Sequence, residues 1–130
     1  MNIKIIDIPK IENPEGNIAV IEKDTIPFDI KRVYYLFDVP SSAQRGGHAH
    51  KKLNQILIAL SGSFDVVLKD GKTSKKISLN KPDKGLIITN NIWRELENFS
   101  SGAVCLVLAS EVFKEEDYIR EYEYFLSYLK

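Results

Sequence analysis

Apolar and polar positions along this 130-residue chain alternate in short runs separated by turn signals. "IKRVYYLFDVP" reads as a strand ending at Pro40, and "LNQILIAL" passes through "SGS" into "FDVVLK". Asp70-Gly71 is a tight-turn signal ahead of "TSKKISL", and "LIIT", "IWRELENF" and "AVCLVLAS" follow, each introduced by Asn-, Ser-, Pro- or Gly-rich residues. Strands spaced this evenly, with no helical periodicity between them, predict an all-β antiparallel sandwich or small barrel rather than a parallel sheet. The N-terminal stretches "IKIIDIPKI" and "NIAVIEK" alternate as edge strands that need a partner.

Only the tail changes period. Tyr118, Tyr122, Phe125, Leu126 and Leu129 fall near helical spacing, and Glu115, Glu116 and Asp117 stand where a helix N-terminus favours negative charge. The expectation is one domain over residues 1–130, with strands over about 3–110 and an amphipathic helix over about 114–129 packed on the sheets by its aromatic stripe. A chain of this length can bury a real core without a second domain.

Charge narrows the choice of ligand. Lys plus Arg and Asp plus Glu both number 18, so no overall basic field draws the chain to nucleic acid or to an anionic membrane, and an anionic ligand needs a local site. The single cysteine, Cys105, lies in the apolar run "AVCLVLA", which excludes an internal disulfide and reads as a small buried hydrophobe. No apolar run approaches the roughly 18 residues of a membrane span, and no secretory leader pattern opens the chain. A cytoplasmic location is expected.

Both histidines of the chain lie in "RGGHAHKK", residues 45–52. In an extended strand His48 and His50 project from the same face, as a metal site, an acid/base pair or an accident of packing. An H-x-H pair entering a strand is half the ligand set of a metal-binding cupin barrel, and Gly62 falls near the expected glycine. The position that should carry a carboxylate is Gln55, or Asn54 if the gap is one shorter, and no third histidine exists. Two imidazoles and a neutral amide are a poor first shell for a divalent cation, so no metal and no other cofactor is expected. Imidazoles can instead accept and return protons near neutrality. Arg45 supplies a planar, multidentate cation for a phosphate or a developing enolate, and its two neighbouring glycines allow close approach of a ligand.

Together "FDIKRVYYLFDVP", "RGGHAHKKLNQ", "IWRELENFSSGAVCLVLAS" and "EEDYIREYEYF" resemble the dTDP-4-keto-6-deoxy-D-glucose 3,4-ketoisomerases, sugar-nucleotide isomerases of the WxcM-like cupin group, from about Ile3 to Phe125. The resemblance implies a cupin jelly-roll barrel with a C-terminal α-helix. It implies a metal-independent enzyme that moves the keto group of dTDP-4-keto-6-deoxy-D-glucose from C4 to C3, for 3-amino-3,6-dideoxy sugars of lipopolysaccharide O-antigen, S-layer glycans or antibiotics. It also implies a homodimer with exchanged N-terminal strands. By the same resemblance His48, His50 and Tyr35 are catalytic, one histidine being the base, and Arg45 lines their pocket; the further expectation is that His48 removes the C3 proton and His50 relays or returns one. Strand parity alone places one of Tyr34 and Tyr35 inside and the other outside without saying which. Trp93 either stacks on a thymine ring or packs, and Arg32 and Lys51 either hold the pyrophosphate or are surface charges. Arg94 stands where many relatives have histidine. Two rival readings are a 3,5-epimerase of the same barrel class and a non-catalytic cupin that binds a sugar nucleotide.

Overall fold

The computed structural model describes residues 1–130, with Gly46 described only as a strand position. Two five-stranded antiparallel sheets face each other as a jelly-roll sandwich, and one short helix closes the chain. The first sheet runs in the order β1 (Lys4–Asp7), β9 (Lys84–Ile88), β6 (Gln55–Ser61), β11 (Val104–Ala109), β4 (Arg32–Leu36). The second runs β12 (Tyr118–Ile119), β5 (Arg45–His50), β10 (Trp93–Glu97), β7 (Phe64–Lys69), β8 (Ser74–Leu79). A separate two-stranded ribbon pairs β2 (Lys10–Ile11) with β3 (Ile18–Ala19).

The main core lies between the sheets. Leu57 and Ala59 of β6, Leu86 and Ile88 of β9 and Cys105 and Val107 of β11 meet Phe64, Val66 and Leu68 of β7 and Leu96 of β10. The first sheet is buried on its outer face as well, where Ile56, Ile58 and Leu108 pack under Ile8 and Ile26 of the N-terminal segment. That double burial explains why "QILIAL" is almost continuously apolar while "FDVVLK" alternates. Gly85 makes the outer layer possible, since a Cβ there would lie 2.4 Å from Ile56 Cδ1. Cys105 is fully buried, and burial pushes its thiol up to about 12.

The second sheet is covered outside by α1 (Tyr122–Tyr128), through Ala49, Trp93, Ile119 and Phe125. The helix expected over 114–129 is therefore confined to the last part of that span. Glu115–Asp117 form one 3₁₀ turn, and Tyr118 and Ile119 add strand β12 to β5, pairing with His50 and Ala49. Ladder bonds and the burial of Ile119 outweigh the helical spacing of the aromatics, so the acidic run caps no α-helix. The N-terminal edge strand finds its partner within the chain, Lys4–Asp7 of β1 against Lys84–Ile87 of β9. No helix among the described residues is long and apolar enough to cross a membrane.

Candidate active site

Strands β4 and β12 are edges of opposite sheets, and between them the sandwich opens into a cavity of about 380 Å³. The floor is apolar, from Leu57, Leu96 and Val107. Arg32, Arg45, Arg94 and Arg120 supply its charge, and no carboxylate is among the described lining residues. A chain with no net charge thus concentrates four guanidiniums in one concave site, a setting for an anionic ligand.

β5 brings the histidines together. His48 lines the cavity, while His50 lies behind it, fully buried. Their Nε2 atoms are 3.1 Å apart and the rings meet edge to face, with Tyr118 packed over both. Ala49, between them, points the other way, under the helix. A register shift between the pairs Arg94–His48 and Leu96–Arg45 resets the alternation of β5, so Arg45 and His48, of opposite parity, both reach the cavity. Behind His50, Asp117 Oδ2 lies 3.1 Å from Nδ1, and the same carboxylate accepts from the backbone N–H of Lys52 (2.8 Å) and of Leu53 (3.3 Å). Burial, then Arg94, Arg32 and Arg120, pull His50 down to about 3, so the ring is neutral despite the nearby carboxylate.

Register decides between the two tyrosines. Tyr34 sits across from Val107, a buried core residue, and direct cross-strand partners share a face. Tyr34 therefore lines the cavity, and Tyr35 lies on the outside with Val33 and Phe37, 60 % exposed. The Tyr34 hydroxyl accepts a bond from Gln55 Nε2 (3.4 Å), which leaves its own proton for an acceptor in the cavity. Burial pushes its pKa above the usual phenol value, so the hydroxyl stays protonated.

Arg94 and Gln55 form the base of the site. Arg94 is 1 % exposed, its Nη1 donates to Gln55 Oε1, and its Nε and Nη2 donate to the carbonyl of Ile92. All of these acceptors are neutral, so a buried cation stands here without a bonded carboxylate, although burial lowers it only to about 10. The glutamine that occupies the expected cupin carboxylate position thus serves a guanidinium, and that guanidinium repels a cation where a metal would have to sit.

Of the other expected residues, Arg32 is in the cavity. Its guanidinium lies over Tyr34 and Phe113, Nη2 donates to the Tyr118 hydroxyl (3.3 Å), and the buried Nε has no partner. Lys51 is elsewhere, its ammonium over the rings of Tyr124 and Tyr128 on α1. Trp93 is also elsewhere, 5 % exposed on the face opposite Arg94, against Tyr122 and Phe125, with Nε1 donating to Glu95 (2.8 Å). It packs and does not face the cavity. Tyr34, Gln55, Arg94, Tyr118, Arg120 and Asp117 are site residues that sequence reasoning missed or used otherwise. Gln55 and Arg94 carried a signal as departures from the cupin ligand pattern, and Tyr34 as one of the two tyrosines between which strand parity leaves the inward position open.

Comparison with known proteins places this geometry. The whole chain, residues 1–130, matches the family model described as FdtA: WxcM-like, C-terminal. The TDP-4-oxo-6-deoxy-alpha-D-glucose-3,4-oxoisomerase of Aneurinibacillus thermoaerophilus is 45 % identical over 130 residues, 99 % of this chain and 94 % of that protein. Among solved structures, a His-to-Asn mutant of a 3,4-ketoisomerase from Thermoanaerobacterium thermosaccharolyticum, in complex with TDP-4-keto-6-deoxyglucose, superposes with a TM-score of 0.95 at 45 % identity, covering 98 % of this chain and 93 % of that one. The TDP-quinovose 3,4-ketoisomerase of Campylobacter jejuni superposes at 0.92 with 50 % identity, over 97 % of this chain and 98 % of that one.

Proposed function

The chain belongs to the FdtA, WxcM-like family, and from that premise we propose that it is a 3,4-ketoisomerase acting on dTDP-4-keto-6-deoxy-D-glucose. The observation that carries this reading is the imidazole pair opening into an arginine-lined cavity that also presents a protonated tyrosine.

The C3 hydrogen of a 4-keto sugar is acidic because the electrons left behind are delocalised onto O4. His48, the histidine that lines the cavity, removes it, the C3–H pair becomes a C3=C4 double bond, and O4 takes up a proton. Tyr34 and the guanidiniums of Arg32 and Arg45 are the donors available to the developing oxyanion, each worth up to a few kcal/mol if held in place. The enediol then loses the O3 proton, C3=O forms, and C4 is reprotonated. The net change moves one ketone within one sugar while the protons exchange with solvent, so no redox cofactor is required. His50 is too deeply buried to meet the sugar and acts as the relay behind His48. Arg32, Arg45 and Arg120 supply the charge that suits the pyrophosphate.

The active form is a homodimer with exchanged N-terminal strands. Its support is the exposed stripe Val33, Tyr35 and Phe37 on edge strand β4, an apolar surface suited to a second copy. The β1–β9 ladder has the same bonds whether it closes within one chain or by exchange. A cytoplasmic location fits the one buried, unpaired thiol.

The test is a proton NMR time course of chelator-treated protein with dTDP-4-keto-6-deoxy-D-glucose in deuterated buffer. A 3-keto product with deuterium at C4, absent with His48→Asn, is the expected result. Deuterium incorporation with the ketone still at C4 would mean epimerisation instead, and binding without any exchange would mean a non-catalytic role.

A further inference from the structure

His48 and His50 face each other Nε2 to Nε2 at 3.1 Å. Two N–H groups cannot share that space, and two lone pairs repel, so with both rings neutral one nitrogen donates and the other accepts. The tautomers of the two rings are therefore coupled. The choice between the two states is biased from the far side of His50, where Nδ1 meets Asp117 Oδ2 at 3.1 Å. A carboxylate oxygen only accepts, so Nδ1 of His50 carries hydrogen, its Nε2 accepts, and the Nε2 of His48 donates. The basic lone pair of His48 is then on Nδ1.

We propose that Asp117 is a positioning residue that, through His50, fixes the tautomer of His48 and hence the nitrogen from which it works as a base. This inference rests on His48 being the base of the proposed reaction. Asp117 is itself held: Oδ1 accepts from the Lys52 amide and Oδ2 from the Leu53 amide, and its carbonyl accepts from the Lys51 amide at 2.9 Å. Those bonds join the 3₁₀ turn at the start of β12 to the segment that leaves β5, so the carboxylate cannot swing away without breaking both. The other groups around His50 are Arg94, Arg32, Arg120 and the Tyr118 ring, and the three cations oppose a proton on the imidazole. Proton uptake by His48 at Nδ1 leaves its Nε2–H pointing at a neutral acceptor with a carboxylate behind it, an arrangement that supports the transient imidazolium.

Asp117→Asn tests this. With its oxygen kept on the shorter Lys52 contact, the amide gives up the Leu53 bond and turns its NH₂ group toward Nδ1 of His50, to which it can only donate. Both tautomers should invert. With only two histidines in the chain, ¹⁵N-histidine labelling and long-range ¹H–¹⁵N correlation assign all four ring nitrogens in the ligand-free protein. The wild type should show protonated Nδ1 on His50 and protonated Nε2 on His48, and the variant the reverse. The kcat for ketoisomerisation should fall by about 10²- to 10⁴-fold, the scale of an acid-to-amide change behind a catalytic histidine, with KM little changed. Wild-type His50 protonated on Nε2 overturns the proposal, even if the variant does not fold. So does a variant that loses kcat with both tautomers unaltered, or one whose tautomers invert with kcat intact. A wild type with these tautomers but no ketoisomerase activity would instead overturn the assignment of function and leave the tautomer lock standing.

Discussion

Acidification should expose the burial of His50 as a loss of stability confined to a window set by one proton. In the unfolded chain the imidazole titrates near 6.5, whereas in the folded protein it is held down to about 3. Between those values the unfolded state binds one more proton, so stability is complete above pH 6.5 and declines as the pH falls toward 3, at about 1.4 kcal/mol per pH unit. From pH 8 to about 4.5 this amounts to roughly 3 kcal/mol, a large share of the 5–15 kcal/mol typical of a domain. The carboxylates add little in this range. Asp70, held far below the usual range by the backbone N–H groups of Thr73 and Lys72, destabilises only once the pH drops toward 4 and below. The assay is urea unfolding of wild type and His50→Gln at fixed protein concentration over that interval, with equal denaturant slopes as the condition for comparison. His48, Asp117 and the three arginines are common to both proteins. The wild type should lose about 3 kcal/mol more than the variant across the interval, whatever their difference at pH 8. Parallel pH profiles would refute the claim that His50 is buried as a neutral ring.

Three further outcomes follow from named contacts. Tyr34→Phe should lower kcat by about 10²-fold or more, the cost of one oxyanion donor, while Tyr35→Phe leaves it unchanged; steady-state kinetics with the 4-keto sugar nucleotide separate the two, and the opposite pattern would return the role to Tyr35. Gly85→Ala drives a Cβ into Ile56 and should cost about 1–3 kcal/mol, read by urea unfolding, with KM unaffected because the clash lies on the outer face of the first sheet. Trp93→Phe removes the bond to Glu95 and part of the packing under α1, so stability should fall by about 1–2 kcal/mol with no change in KM; a raised KM at full stability would show that the indole meets the nucleotide.

The all-β architecture and nearly every strand were legible in the chain, because alternation and turn residues act over a few neighbours: "LNQILIAL", "FDVVLK" and "TSKKISL" became β6, β7 and β8 with their turns at Gly62 and Gly71. The proximity of His48 and His50 was legible for the same reason, since two positions apart in a strand is a local fact. What tertiary structure decided were matters of register and of distant partners. Only the pairing of Tyr34 with Val107 says which tyrosine looks inward, and only the register shift of β5 against β10 brings Arg45 round to the face of His48. "EEDYIREY" reads as the start of a helix by spacing alone, yet β5 draws Tyr118 and Ile119 into its ladder and so delivers Asp117 to His50, 67 residues away in sequence. Period and turn chemistry are written residue by residue. Which face of a strand meets the core, and which carboxylate stands behind a buried imidazole, depend on contacts between segments far apart in the chain, and no local pattern encodes those.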